Sequence, residues 1–390
     1  MKKLIKQSFK VKFNYNIYFT KKIFDKKNKI LVNSINTNNN IIKNTIIFID
    51  KNVHKKHKKL TKEINNYFDF HNNKIKLKCN PILISGGEKS KNHNILLKII
   101  YKLLNKYKIC RHSYIIAIGG GAILDLIGYV ASTAHRGINL IRIPTTVLSQ
   151  NDSGIGVKNG INLLNKKNFI GNFAIPTVVI NDNIFLKTLD DRSWRSGIAE
   201  ALKVALIKDY DFFKFIKENT DKLNSRNMKV MDKLIYKCAY IHAKHISKNV
   251  DPFERQSSRP LDFGHWAAHK LESLTKYKIL HGEAVAIGIA LDSTYSYIIK
   301  YLSKNEWKEI INTIINLGFK IYIKEMEMIS NNNEKTIFEG LNEFQEHLGG
   351  TLTITILKKI GLGININNID RKVFEKSIKI IKKIQNIYAI

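Results

Sequence analysis

The sequence predicts an α/β domain built on a parallel sheet over residues 1–189 and a mainly α-helical domain over residues 190–390. Three observations carry that reading. Up to about residue 180, short apolar runs alternate with stretches of helical spacing, the pattern of a sheet covered on both faces. One run, Tyr114-Ile115-Ile116-Ala117-Ile118, passes straight into Gly119-Gly120-Gly121 and then a helix, a Rossmann-like strand–turn–helix unit. Beyond residue 190 helix follows helix, punctuated by Asn, Gly or Asp.

Phe9 to Tyr18 alternates, through Phe9, Val11 and Phe13 and then Tyr15 and Ile17, and reads as a strand with one buried face. The Asn-rich stretch 35–44 reads as a loop. Thr45–Asp50 is an apolar run ending in an acid, the profile of a buried parallel strand. Pro81–Ser85 repeats it before Gly86-Gly87-Glu88-Lys89. Leu96–Tyr107 and Ile123–Ser132 have helical spacing, and Leu140–Ile143 and Val178–Ile180 complete the strands. In the second half, helices are expected over Ser193–Lys208, Met228–Lys248, Pro260–Leu274, Gly282–Lys300 and Glu306–Leu317, with one strand at Leu352–Leu357.

At 390 residues the chain has room for two cores. Its formal charge of +33 raises the question of a polyanionic partner. Lys and Arg are scattered among Asn and Ile along the whole length, with no basic arm or stripe, so the excess reads as compositional bias and no nucleic acid is expected. Cys79, Cys110 and Cys238 are odd in number and form no C-x-x-C pair, which points to a reducing compartment. The start, Met1-Lys2-Lys3-Leu4-Ile5-Lys6, lacks the apolar core of a signal peptide, and no apolar window is long enough to span a bilayer. A cytoplasmic protein is expected.

A strand leading into glycines and a helix presents backbone N–H groups to an anion at the helix's positive end, although a ligand-free tight turn has the same sequence. Asp50, ending a strand, suits a ribose hydroxyl or a turn cap. Ile143–Lys158 packs polar groups and glycine directly after a strand, where parallel sheets bind ligands. With Asn162, Lys167 and Asn168 it offers amides and cations suited to a phosphorylated substrate; the alternative is a solvated loop. Three separated phrases each read as one corner of a metal site: Gly197-Ile198-Ala199-Glu200, Asp262-Phe263-Gly264-His265 and Leu280-His281-Gly282. One carboxylate and two imidazoles leave a position open on a zinc-like ion, which suits catalysis. Spacing alone also permits a Glu200–Lys203 ion pair on a helix surface, a pairing of His265 with His269, or His242 with His245 in a basic helix.

Eight phrases occur in order: GGGAILDLIGYVA at 119–131, HRG at 135–137, IPTT at 143–146, DSGIGVKNGIN at 152–162, KKNFIG at 166–171, GIAEALK at 197–203, LDFGHWAAH at 261–269 and HGEAVAIG at 281–288. Together they resemble the 3-dehydroquinate synthase superfamily of sugar phosphate cyclases. The resemblance runs from about residue 45 to 290. It implies an NAD-binding α/β domain, a helical metal-binding domain and a homodimer. It implies Glu200, His265 and His281 as ligands of Zn2+ (or Co2+). Asp50, Glu88, Lys91, Gly121, Ala122, Ile123, Leu124, Asp125, Thr145, Thr146, Lys158, Lys167 and Thr188 fall at positions that contact NAD in the family. Asp152, Lys203, Lys244, Asn168 and His269 match positions lining the sugar phosphate. Arg136 matches an arginine that reaches a phosphate across the dimer interface. The implied chemistry is transient oxidation of a hydroxyl by NAD beside the metal, phosphate elimination, return of the hydride and intramolecular aldol closure to a carbocycle. The net reaction is that of a carbon–oxygen lyase.

The chain departs from the shikimate-pathway pattern. Asp262 stands where those enzymes carry Asn, and Ser258 stands where they carry an arginine for the substrate carboxylate, with Arg259 one place out of register. His347 stands where they tend to have Lys. An anionic Asp262 repels a carboxylated substrate. Asp262 with His347 resembles the cyclases that close sedoheptulose 7-phosphate to valiolone-type products, and Asn151–Gly160 is similar to the cyclase of bacterial edge-biofilm gene clusters. The expected substrate is therefore a heptulose phosphate of the sedoheptulose 7-phosphate kind. The alternatives are the carboxylated heptulosonate of a true 3-dehydroquinate synthase and, further off, the polyol of a metal-dependent dehydrogenase.

Overall fold

Uninterrupted apolar runs demand burial on both faces, and in the computed structural model they receive it. The structure describes every residue except 1–3, 36–40, 93, 165, 249–252, 254–259, 331–332, 348–349 and 389–390, and omits the side chains of Asn94, Lys166, Pro260 and His347. Two compact units divide the chain, residues 1–144 with 157–182 and residues 145–156 with 183–390.

The first unit holds β1 (Asn16–Thr20), β2 (Lys43–Asp50), β3 (Ile75–Leu77), β4 (Ile82–Ile84), β5 (Tyr114–Gly119), β6 (Asn139–Pro144), β7 (Lys158–Leu163), β8 (Lys166–Phe173) and β9 (Val178–Asp182). Seven of them form one sheet in the order β1-β9-β6-β5-β2-β3, with β4 also on β2, and every pairing is parallel. Ile46 and Phe48 of β2 face one layer while Ile47 and Ile49 face the other, all fully buried. Each contributes about 1.5–3 kcal/mol on leaving water. The helices of two turns or more are α1 (Leu60–Phe70), α2 (Asn94–Lys106) and α3 (Gly121–Thr133). The chain steps outward from β2 to β3 and β4, then crosses to β5, so its direction reverses between β2 and β5. A parallel sheet opens a ligand crevice at such a reversal, beyond the carboxyl ends of the strands.

Two departures from the sequence reading appear here. Phe9, Val11 and Phe13 are exposed and outside any strand, because β9 offers a partner only from Val178, opposite Asn16. Residues 158–173, to which the sequence reading gives no element, form an antiparallel hairpin of β7 and β8 that packs on α3. Its Lys- and Asn-rich sequence lacks the alternation that marks a strand.

The second unit contains α4 (Asp191–Lys208), α5 (Tyr210–Glu218), α6 (Met228–Lys248), α7 (His265–Leu274), α8 (His281–Ile298), α9 (Lys304–Asn316), α10 (Glu339–His347) and α11 (Arg371–Tyr388). α4 and α8 form its centre, with Ile198, Leu202, Leu206, Val285, Ile289 and Leu291 in one core. The helix expected from Pro260 starts at His265, after a short turn at Pro260–Asp262. The strand expected near the end is β10 (Ile354–Lys359), paired with an unforeseen β11 (Leu362–Ile366). Among the described residues, no helix is long and apolar enough to cross a membrane.

Candidate active site

Glu200, His265 and His281 are distant in sequence, and close backbone approaches bring them together. Gly282 lies flat on α4, where an added Cβ would fall 1.8 Å from the Ser196 carbonyl oxygen. Glu283 locks the same turn, accepting from the Leu280 amide at 2.7 Å and from both ends of the Arg192 guanidinium at 2.6 Å. Gly264, at φ +76°, sets the turn into α7 and touches Gly288 of α8. Buried Asp292 of α8 accepts from the Gly264 amide at 2.9 Å and from Trp266 Nε1 at 3.0 Å, and burial pushes its carboxyl up to about 7.

The result is a convergence of three donors. His281 Nε2 lies 3.2 Å and His265 Nε2 3.6 Å from Glu200 Oε1. His265 donates from Nδ1 to the Phe263 carbonyl at 3.1 Å, and His281 Nδ1 meets Glu272 Oε2 at 3.1 Å. Both rings thus turn Nε2 toward the same carboxylate. Glu200 is fully buried; Lys203 Nζ stands 2.6 Å from Oε2, while Oε1 faces the two imidazoles and has no well-formed hydrogen bond among the described residues. A buried carboxylate is costly unless cations meet it. Burial alone would raise the Glu200 carboxyl, but Lys203, His265 and His281 together hold it well below its usual range. Burial also opposes charge on Lys203, yet Glu200 and Asp152 win and raise it above the ordinary lysine value. Burial and Lys203 lower the His265 imidazole and keep it neutral, the form that donates a lone pair. One oxygen and two nitrogens within 4.8 Å of one another fit a tetrahedral divalent ion with one position left for a ligand.

Around these donors the expected substrate residues sort themselves. Burial pushes Asp152 up, but Lys203 and His242 outweigh it and hold the carboxyl below its usual value. Asp262 lies close enough to favour the charged forms of Lys203 and His265. His269 is exposed, its ring centroid 5.5 Å from that of His265 and 5.9 Å from that of His281. Lys244 does not join this group; it is exposed, with its ammonium over the Tyr240 ring, 5.7 Å from the centroid. Two residues earlier, and so on the other side of α6, His242 Nδ1 meets Asp152 Oδ1 at 3.0 Å. Spacing offers His242 only as an alternative metal ligand with His245; the signal for its place beside Asp152 is the buried stripe of α6 through Leu234, Ile235, Cys238 and Ala239, which leads on to it. His347 ends α10 with its side chain outside the described residues, as are Ser258 and Arg259.

In the first unit, Asp50 ends β2 beside the glycine turn after β5. It is buried, caps the Asn52 amide at 2.8 Å and is raised by that burial. Gly120 begins α3 with no side-chain cap, leaving the helix's positive end to the crevice. Gly121, Ala122 and Asp125 are half-buried in that first turn, whereas the Ile123 and Leu124 side chains point into the core, so only their backbone is available. Lys91 Nζ is 2.9 Å from Asp125 Oδ2 and 3.5 Å from Glu88 Oε1, and also donates to Asn168 Oδ1. Asn162 ties the hairpin to this group, donating to Glu88 at 3.1 Å and accepting from the Asn168 amide at 2.8 Å. Lys158 is exposed at the start of β7, and Lys167 is half-buried on β8. Arg136 is exposed in the turn between α3 and β6, at the amino-terminal edge of the sheet and opposite the crevice.

In the second unit, Thr146 Oγ1 is 2.8 Å from Ser149 Oγ, Thr188 Oγ1 donates to the Phe185 carbonyl at 3.3 Å, and the buried Thr145 hydroxyl has no partner among the described residues.

Residues 81–196 match the family described as 3-dehydroquinate synthase N-terminal, and residues 197–337 match 3-dehydroquinate synthase C-terminal. The 3-dehydroquinate synthase of Buchnera aphidicola subsp. Cinara cedri (strain Cc) is 39% identical over 310 residues, 79% of this chain and 80% of that protein. In fold, the chain is similar to the 2-epi-5-epi-valiolone synthase of Streptomyces hygroscopicus subsp. jinggangensis 5008, solved with NAD+ and Zn2+ bound. That match has a TM-score of 0.86 at 23% identity, over 97% of this chain and 99% of the other. It is also similar to a 2-deoxy-scyllo-inosose synthase complexed with carbaglucose-6-phosphate, NAD+ and Co2+, with a TM-score of 0.73 at 20% identity over 93% and 95% of the two chains. The motifs, the two-unit fold and these matches converge on one assignment: the chain belongs to the 3-dehydroquinate synthase family of sugar phosphate cyclases.

Proposed function

We propose that the protein is an NAD- and zinc-dependent cyclase acting on a heptulose phosphate that carries no carboxylate, of the sedoheptulose 7-phosphate kind. The observation that carries the metal is the buried Glu200 carboxylate, which is held by Lys203 at Oε2 and faced at Oε1 by the Nε2 atoms of both His265 and His281. Those three residues hold the ion, and Asp50, Glu88, Lys91 and the first turn of α3 hold NAD. When bound, the ion supplies Lewis acidity and NAD supplies a hydride acceptor. Lys203, kept protonated by Glu200 and Asp152, presents a fixed positive charge to the substrate. Asp152, kept ionised, accepts a hydrogen bond from a substrate hydroxyl. His269, exposed beside the two histidine ligands, is placed to donate to the phosphate. Arg136, at the far edge of its own sheet, serves the site of a second copy in a homodimer.

Asp262 carries the substrate preference. Its carboxylate joins Glu200 and Asp152 around Lys203, so a carboxylated sugar meets added repulsion. A second reading, turnover of the carboxylated heptulosonate as in 3-dehydroquinate synthase, is favoured by the 39% identity to a protein of that name. Offering each sugar phosphate to the purified protein and following phosphate release separates the two. We expect release from sedoheptulose 7-phosphate, and Asp262→Asn to shift relative kcat/KM toward the carboxylated sugar by about tenfold, one close charge pair's worth. Turnover of the carboxylated sugar alone would reverse the assignment. Net NADH accumulation with a phosphate-free polyol would point instead to a dehydrogenase.

A further inference from the structure

We propose that Glu272 is a positioning residue for the metal centre, fixing His281 in the tautomer that offers Nε2 to the ion. This rests on the metal site proposed above. Glu272 lies two turns along α7 from His265, and its side chain is 5% exposed. Its Oε2 stands 3.1 Å from His281 Nδ1, while the opposite nitrogen of that ring stands 3.2 Å from Glu200 Oε1. A neutral imidazole carries a single N–H. With that hydrogen committed to Glu272, the Nε2 lone pair points at the Glu200 oxygen. Two electron-rich atoms facing each other at that distance call for a cation between them. A carboxylate behind the ring also makes its far nitrogen a stronger donor. The two histidines are supported differently, since His265 leans on the neutral Phe263 carbonyl. His281 is therefore the ligand whose strength a side chain sets.

His269, Glu272 and His281 also offer donor atoms within 4.8 Å of one another, so a second ion there is the competing arrangement. It would need His281 Nδ1 as a lone-pair donor, which conflicts with a hydrogen bond to Glu272.

The test is zinc affinity of the full chain, stripped by chelator and titrated with Zn2+ against a competing indicator. Glu272→Ala is expected to raise the dissociation constant about 10–100-fold, with one zinc per chain retained. Glu272→Gln keeps the shape and an acceptor oxygen, so it is expected to recover part of that loss; it carries the test if the alanine variant misfolds. The visible spectrum of Co2+-loaded Glu272→Gln should shift relative to the unsubstituted protein, a change in ligand field that a packing role would not produce. Zinc binding by Glu272→Ala as tight as in the unsubstituted protein overturns the proposal, provided His281→Ala loses the metal. Two zinc ions in the unsubstituted protein, with only the weaker lost in Glu272→Ala, would make Glu272 a ligand and likewise overturn it. If His281→Ala keeps full zinc stoichiometry, the metal site itself is misassigned and the role of Glu272 falls with it.

Discussion

Asp152 has a lysine ammonium on one side and the His242 imidazole on the other, and both hold its proton off. Replacing His242 by Ala removes the contact that orients the carboxylate without touching the metal donors. We expect kcat/KM to fall by about tenfold or more, chiefly in kcat, with zinc content unchanged. An unaltered kcat would detach His242 from the chemistry. The residue scale is also where the sequence is read unevenly. Glu200, His265 and His281 were legible because each sits in a short phrase with glycine that lets backbones touch. The choice between His242 and Lys244 lies in the apolar stripe of α6, Val230, Met231, Leu234, Ile235, Cys238 and Ala239, whose spacing leads on to His242 and not to Lys244, a pattern masked by the lysines interleaved with it. Ile123 and Leu124 match nucleotide-contact positions by resemblance, and with their side chains in the core they offer only backbone there.

α4 carries Glu200 and Lys203, and its start is fixed by Asp190. That carboxylate accepts from the Ser193 amide at 2.7 Å and from the Ser193 hydroxyl at 3.1 Å, and these bonds hold its carboxyl below the usual range. A depressed carboxyl adds stability that is fully present above its unfolded value, near 3.9, and is lost as pH falls through the lower folded value. Asp190→Ala should therefore cost about 0.5–1 kcal/mol at neutral pH, at the low end for so exposed a cap, and the gap should close on acidification below about pH 4. Urea unfolding at two pH values checks this; an equal gap at both would exclude the cap as its source. At this scale the long helices and buried strands were legible because period and length agree. The β7–β8 hairpin and β11 were not. Lysine and asparagine dominate the hairpin, whereas α11 carries helical spacing at Phe374, Ile378 and Ile381 and goes unassigned in the sequence reading without a physical obstacle.

Across the whole molecule, lysine and arginine exceed the acids by 65 − 32 = 33. So large an imbalance repels itself, and salt shortens its reach from about 30 Å at 0.01 M to about 8 Å at 0.15 M. The thermal midpoint should rise over that range of sodium chloride. A flat or falling midpoint would mean the charges are compensated locally. Fold class was legible from alternation, but strand order was not, since β1 joins β9 from the far end of the first unit. Asp182 seals that junction by accepting from the Ile23 amide at 2.7 Å, across 159 residues of chain. On the ribosome the opening strand must then wait on the order of ten seconds for its neighbour to be synthesised. Through that interval β1 has no partner for its edge, and Phe9 and Phe13 just before it are exposed even in the folded chain, so the segment is open to pairing with other chains. A cell making this enzyme quickly, or at raised temperature, would feel the need for a chaperone first at the amino terminus.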